Sequence, residues 1–388
     1  MKKICFITTS RADFGTLNEL VLEIIKEKKF TTQLIVSGSH YNKIFGRTEK
    51  EINYKKKCLI KRIRILQNNK NTKSVAISFS ECVRKCTNAF KKLKPDIFVA
   101  FGDRYEMLAA TLSAYILRIP IAHIAGGEKT FGSLDEGFRH SISKLSNLHF
   151  PTMNIYKKTL MQLGENPKTI FNFGSLSELK ISNNKYLSKI ELEKQLKIKF
   201  YDKNLIFTYH PETVDSSKCI KNLSIALNAL KKLNETLIII TSPNADAKSV
   251  QMISYINKFI KNNKLKNFLF FKSLGSLIYL SLLKVVDGVL GNSSSGISEV
   301  PFFGIGTVNV GNRQDGRFMF PSVVNCTVSQ TAILDSIKKI FNHFKVHTQY
   351  SICEGAVKID QLKIFCKSNK VGKLNSFIVV SSQATTSL

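Results

Sequence analysis

Tryptophan is absent from this 388-residue chain, acidic residues are scarce, and no two cysteines stand at the CxxC spacing. The missing indoles leave no shortage of core material, because 27 Phe and a hydrophobic fraction of 43% suit a globular protein and argue against long disordered regions. The eight cysteines (Cys5, Cys58, Cys82, Cys86, Cys219, Cys326, Cys353 and Cys366) are scattered, mostly inside apolar runs. They read as reduced, packed thiols of a cytoplasmic protein rather than as disulfide staples. Cys82 and Cys86 share a helix face, but two thiols with no nearby histidine make a poor zinc site, so no metal is expected. Long apolar runs are also missing. The opening MKKICFITTS is interrupted by Thr8, Thr9, Ser10, Arg11 and Asp13 before a membrane span or signal segment could form, so neither membrane association nor export is expected.

The shortage of acid, 28 Asp and Glu against 58 Lys and Arg, leaves a formal net charge of +30 and invites a nucleic-acid reading. The distribution opposes it. Lysines are spread through nearly every predicted helix and loop, and the densest cluster, Lys55 to Arg64 (KKKCLIKRIR), has no interleaved aromatics on which bases could stack. The charge reads as a solvated surface whose field also attracts a phosphorylated small substrate, and no nucleic-acid partner is expected.

The length exceeds what one hydrophobic core organises, which implies two domains. No short repeat or low-complexity segment occurs. Short β-branched and aromatic runs alternate with helical patterns, the signature of βαβ units and parallel sheets. In the first half, strands are predicted at Ile4–Thr9, Gln33–Gly38, Asp96–Phe101, Ile119–Ile124, Asn147–Pro151 and Thr169–Gly174. The helix after the first carries a buried stripe of Leu17, Leu20, Val21, Ile24 and Ile25. A polar connection around Ser182–Lys203 precedes a second series at Leu205–Tyr209, Leu237–Thr241, Phe268–Lys272, Val285–Leu290 and Gly306–Val310. The predicted class is therefore α/β, with two Rossmann-like lobes over residues 1–180 and 181–345 facing a central cleft. A C-terminal segment over 346–388 is expected to fray at its end. Open α/β sheets bind ligands at the carboxyl ends of their strands, so the residues just after each strand carry the chemistry.

After the first strand, Ser10-Arg11-Ala12-Asp13 puts a guanidinium at a helix start, suited to phosphate, although Asp13 alone is equally an ordinary helix cap. Gly102-Asp103-Arg104, Gly126-Gly127-Glu128 and Leu134-Asp135-Glu136 follow neighbouring strands and bring acidic positions to one sheet edge. Singly such residues are caps; grouped, they offer the two groups that acid/base work on a carbon needs. Gly126-Gly127 implies a backbone that something approaches closely. In the second half Tyr209-His210-Pro211 ends a strand, and Gly291-Asn292-Ser293-Ser294-Ser295-Gly296 opens a helix with three hydroxyls, a cradle for an anion. Glu299, one turn on, suits a ribose diol. The chain has no GxxxxGK[ST], no dinucleotide fingerprint with its acidic partner and no DxD at a strand end, so neither ATP hydrolysis nor a cofactor is expected.

Together, SRADFG, GDRYEMLAA, IPIAHIAGGEKT, LDEGFRHSISKLSNLHF, MQLGENPKTIFNFGS, YHPET, GNSSSGISEVPFFG and VNVGNRQDGR resemble, in order and spacing over about residues 1 to 325, the hydrolysing UDP-N-acetylglucosamine 2-epimerases of bacterial sialic acid biosynthesis. The resemblance implies a GT-B architecture, with the C-terminal segment packing back on the first lobe. It places Arg11, His210, Ser293, Ser294, Gly296 and Glu299 on UDP, Ser273 beside uracil, Arg313 and Arg317 on an anion or the sugar, and Asp103, Glu128 and Asp135 in the acid/base group. It also implies a homo-oligomer. The expected reaction takes UDP-N-acetylglucosamine through a 2-acetamidoglycal to UDP and N-acetylmannosamine. The alternatives are the same chemistry on UDP-2,4-diacetamido-2,4,6-trideoxyglucose, a GT-B glycosyltransferase, and a basic nucleic-acid-binding protein.

Overall fold

In the computed structural model, the described residues are 1–42, 48–52, 54, 57–65, 72–212, 217–243, 248–343, 364–366 and 377–379. The chain opens with strand β1 (Lys2–Thr8), whose residues Ile4 to Ile7 are buried, as befits a strand covered on both faces. Helix α1 (Arg11–Lys26) follows, started by a reciprocal capping box between Ser10 and Asp13. Its predicted stripe faces the sheet: Leu17, Leu20, Val21 and Ile24 are buried and Ile25 packs against the same core. Truncating the fully buried Leu17 to Ala would cost about 2–5 kcal/mol.

The first sheet is completed by β2 (Phe30–Val36), β3 (Leu59–Arg62), β4 (Ile97–Phe101), β5 (Ile121–Ile124) and β6 (Leu148–Phe150). Its order is β3-β2-β1-β4-β5-β6 and every pairing is parallel. Helices α2 (Thr72–Leu93), α3 (Tyr105–Ile116), α4 (Asp135–Lys144) and α5 (Asn154–Gln162) fill the connections. Two further helices, α6 (Leu176–Asn183) and α7 (Lys189–Leu196), bridge to the second sheet; α6 packs on α1, and α7 has its own Ser188–Glu191 capping box.

The second sheet comprises β7 (Lys203–Thr208), β8 (Thr236–Thr241), β9 (Phe268–Phe271), β10 (Gly288–Gly291), β11 (Gly306–Val310) and β12 (Val323–Cys326), ordered β12-β11-β10-β7-β8-β9 and again parallel throughout. Its helices are α8 (Cys219–Leu230), α9 (Ser249–Asn262), α10 (Gly275–Leu283), the short α11 (Ser295–Ser298) and α12 (Gln330–His343). Each sheet runs outward in both directions from its first strand, so each has a switch point, between β1 and β4 and between β7 and β10, where ligands bind in such folds. Two parallel six-stranded sheets with flanking helices make the expected α/β class of two Rossmann-like lobes.

Three strand expectations need correction. Thr169–Gly174 is not a strand of the sheet: a single bridge joins Ile170 to His149, and Phe171 and Phe173 instead stack with Phe150. Conversely β3 and β12 were not anticipated. Both are four-residue edge strands with mostly half-exposed side chains, and β3 lies inside the basic cluster read as plain surface. Of the segment 346–388, only β13 (Ile364–Cys366) and β14 (Phe377–Val379), an antiparallel pair, are described; its expected packing on the first lobe lies outside the described residues. No described helix is long and apolar enough to cross a membrane.

Candidate active site

The β1–α1 turn is tied down by Asp13. Its carboxylate accepts from the Thr9 and Ser10 amides at 3.0 Å each and from the Thr9 and Ser10 hydroxyls at 2.8 and 3.1 Å. Asp13 is thus the cap that the sequence allowed, and its saturation fixes Arg11 on the first residue of α1, facing the cleft.

The acidic residues gather around a buried cation that the sequence reading did not single out. Arg139, on α4, is 1% exposed. Its guanidinium donates to Asp103 Oδ2 through Nε at 3.1 Å and also through Nη2. It donates further to Glu136 Oε2 at 2.9 Å, Thr130 Oγ1 at 2.8 Å and the Glu128 carbonyl at 2.8 Å. Burial pushes the Asp103 carboxyl up, but Arg139, Arg317 and Arg104 outweigh it and hold the group below its ordinary value. Glu128 accepts from Arg317 Nη1 at 2.7 Å and from Thr152 Oγ1 at 3.3 Å. Asp135 accepts from Ser133 Oγ at 3.0 Å. The signal for Arg139 lay in the sequence: Asp135 and Glu136 precede it by four and three residues on one helix, the spacing at which side chains meet.

His123, on β5, positions this group from beneath. It is fully buried, and burial drives its pKa down to about 3, so the ring is neutral. Nε2 lies 3.0 Å from the Gly102 carbonyl, which can only accept, so Nε2 carries the proton and Nδ1 accepts from Ser143 Oγ at 3.0 Å. The turn that carries Asp103 is thereby pinned. The close approach expected at Gly126-Gly127 is internal. A Cβ on Gly126 would meet the His123 ring at 2.8 Å, and one on Gly127, at φ +80°, would meet the Tyr156 carbonyl at 2.4 Å.

In the second lobe, Asn292 joins the ends of β7 and β10. Its Oδ1 accepts from the His210 amide at 2.6 Å and its Nδ2 donates to the His210 carbonyl at 2.9 Å. The Asn292 carbonyl in turn accepts from Arg313 Nη1 at 3.1 Å and Gln314 Nε2 at 2.8 Å. Past the serine turn, Ser295 Oγ donates to Glu299 Oε2 at 2.5 Å and meets the Tyr279 hydroxyl at 2.7 Å, while Lys180 from α6 stands 3.5 Å from Glu299 Oε1.

One cavity of about 550 Å³ receives both halves. It is lined by Arg11, Asp103, Glu128 and Asp135 from the first lobe and by His210, Ser293, Ser294, Glu299, Arg313 and Arg317 from the second. Two expected residues are not on its wall. Ser273 is replaced there by its neighbours Leu274 to Leu277, because the chain turns into α10 at Gly275. Gly296 faces β11 instead: its amide donates to the Ser293 carbonyl at 3.2 Å, and a Cβ there would meet Thr307 at 2.8 Å. The lobes touch directly. The Phe131 amide donates to the Asp315 carbonyl at 2.8 Å, Gly132 lies against the Asn312 backbone, and the Phe318 amide donates to the Tyr156 hydroxyl at 3.3 Å. Among the described residues, no group of three or more His, Cys, Asp or Glu side chains is disposed to hold a metal ion.

Two facing Rossmann-like lobes with a polar cleft at both switch points define the GT-B-like architecture of sugar-nucleotide enzymes. The model of the UDP-N-acetylglucosamine 2-epimerase family matches residues 22–359, and the chain belongs to that family, as a UDP-sugar epimerase of the hydrolysing type. It is 40% identical over 328 residues to the GDP/UDP-N,N'-diacetylbacillosamine 2-epimerase (hydrolyzing) of Campylobacter jejuni subsp. jejuni serotype O:2, covering 84% of this chain and 85% of the relative. It is 33% identical over 341 residues to the polysialic acid biosynthesis protein P7 of Escherichia coli, covering 87% and 85%. The fold is shared with the UDP-GlcNAc 2-epimerase from Neisseria meningitidis bound to UDP-GlcNAc, at a TM-score of 0.72 and 18% identity over 90% of this chain and 96% of that one.

Proposed function

We propose that the chain converts UDP-2,4-diacetamido-2,4,6-trideoxyglucose (UDP-N,N'-diacetylbacillosamine) and water to UDP and the free 2-epimerised sugar. The observation that carries the reading is the single cavity into which three carboxylates and the anion-binding residues of the other lobe both project. One carboxylate of the Asp103, Glu128 and Asp135 group takes the C2 proton, the C2–H electron pair becomes the C1=C2 bond of a 2-acetamidoglycal, and the C1–O pair leaves with UDP. A carboxylate of the same group then takes a proton from water as the hydroxyl oxygen bonds to C1, and a carboxylic acid of the group returns a proton to the other face of C2. Arg11, His210, Ser293 and Ser294 stabilise the charge that grows on the departing diphosphate, and Arg313 adds its charge behind the serine turn. Glu299, oriented by Ser295 and Lys180, accepts from the ribose diol.

The choice of sugar follows the greater identity to the diacetylbacillosamine enzyme. It is supported by the wall beside the carboxylates, where Phe101, Met153 and Phe318 offer apolar contact to a C6 methyl and a second acetamido methyl. The description of the family model favours UDP-N-acetylglucosamine as the second reading. The deciding experiment incubates the protein with each UDP-sugar in deuterated water and follows products by proton NMR. Free UDP with a C2-deuterated, 2-epimerised product from the diacetamido substrate is expected. Preferential turnover of UDP-N-acetylglucosamine would establish the second reading, and turnover of neither would remove both.

A further inference from the structure

The loop that joins β11 to β12 sends one guanidinium across the cleft. Arg317 Nη1 donates to Glu128 Oε2 at 2.7 Å, and Nη2 stands 4.0 Å from Asp103 Oδ2, at ion-pair distance. One planar fork therefore meets two of the three carboxylates and sets the distance between them. All three side chains are largely buried, so water screens these pairings weakly. Asp103 has further cations beside it in Arg139 and Arg104. Glu128 is less well provided. Among the described residues its carboxylate has one other bonding partner, Thr152 Oγ1 at 3.3 Å, and Arg139 donates to its backbone carbonyl rather than to its side chain.

The loop is docked on both sides of Arg317. The Asp315 carbonyl accepts from the Phe131 amide at 2.8 Å, and the Phe318 amide donates to the Tyr156 hydroxyl at 3.3 Å. Gly316 closes against the Phe131 ring: its φ is +88°, and a Cβ there would stand 2.9 Å from that ring. These contacts keep Arg317 in register with Glu128 while the lobes are together. A glutamate side chain is long and rotatable, and a carboxylate anchored by one long hydroxyl contact turns away from a reacting carbon at little cost. Proton transfer at C2 demands a carboxylate fixed in place, since a displacement of about 1 Å costs on the order of 10²-fold in rate. Arg317 supplies the restraint that Thr152 alone does not.

We propose that Arg317 is a positioning residue for the acid/base group, delivered from the second lobe to fix the Glu128 carboxylate against that of Asp103. It acts through Glu128 and holds neither the diphosphate nor the sugar. This rests on the UDP-sugar reading above but not on the choice between the two sugars.

The test measures kcat and KM for the UDP-sugar that the wild-type protein turns over, and the inhibition constant of free UDP, in Arg317→Met, Glu128→Gln and the double variant. Arg317→Met should lower kcat roughly 10- to 10²-fold, with KM and the inhibition constant of UDP within about threefold of wild type. The double variant should turn over within about threefold of Glu128→Gln alone, because the residue through which Arg317 acts is already disabled. If the two losses multiply, or KM rises in step with the fall in kcat, Arg317 touches the substrate itself and the proposal falls. Weakened UDP inhibition would make the loop a support of the nucleotide site and overturn it too, as would an unchanged kcat. Circular dichroism identifies misfolding. If Arg317→Met does not fold, Arg317→Lys, which keeps the charge without the fork, decides the matter by the same comparison with Glu128→Gln. Wild-type protein that neither turns over a UDP-sugar nor binds UDP would instead refute the underlying function.

Discussion

Replacing Arg139 with Met removes a buried cation of similar length and leaves Asp103 without its strongest partner and Glu136 without one of its three. Removing one member of a buried ion pair costs about 3–5 kcal/mol, and Asp103 and Glu136 keep 22% and 20% of their side chains exposed, which points to the lower end, about 3 kcal/mol at neutral pH. The pH dependence sharpens the test. Asp103 has its pKa depressed in the folded protein, so its stabilisation is present above the ordinary carboxylate value of about 4 and is lost as pH falls through the lower folded value. Without Arg139 the largest of the charges that oppose burial is gone and that carboxyl rises, so the variant suffers most where Asp103 is charged. The gap between wild type and Arg139→Met, read by urea denaturation under circular dichroism, should therefore be widest near pH 7, about neutrality, and narrow below pH of roughly 4. A gap under about 1 kcal/mol, or one independent of pH, would refute the role assigned to this cation.

Asp103→Asn and Glu128→Gln should each lower turnover by roughly 10²–10⁴-fold while UDP affinity, followed by calorimetry, holds; near-normal turnover in either removes that residue from the acid/base group. Gly132→Ala should obstruct approach of the lobes, because its Cβ would stand 2.2 Å from the Asn312 carbonyl; small-angle scattering should show a larger radius of gyration, with kcat reduced. Asn292→Ala removes both side-chain bonds to the His210 backbone and should weaken UDP inhibition by roughly tenfold or more, while the unfolding transition of the first lobe stays in place.

The strands that were legible are those buried on both faces. Ile4 to Ile7 and Leu205 to Phe207 form continuous apolar runs, and a run of that kind admits few other readings. The edge strands β3 and β12 carry no such run, since an edge is half solvated and short, so KKKCLIKRIR reads as surface until a neighbour pairs with it. The same contrast applies to the site. Arg11, Asp103, Glu128 and His210 stand immediately after strands, where topology alone delivers them to the cleft. Arg139 does not: Glu136, three residues before it, is a local signal, but its importance comes from the bond to Asp103 across 36 residues, which no local pattern encodes. Ser273 illustrates the opposite error, a residue at a strand end that the next helix turns away from the cavity.

Arg317 belongs by chain to the second lobe and by contact to the first, pairing with Glu128 and standing 4.0 Å from Asp103. The boundary of the fold and the boundary of the acid/base group therefore do not coincide. A hybrid that joined this first lobe to the second lobe of a relative would carry a foreign loop into its carboxylate cluster, however well both halves folded. Exchange of nucleotide-binding halves between such proteins must respect residues 311–318 as part of the other half, which makes this short loop, rather than either sheet, the unit that recombination has to preserve.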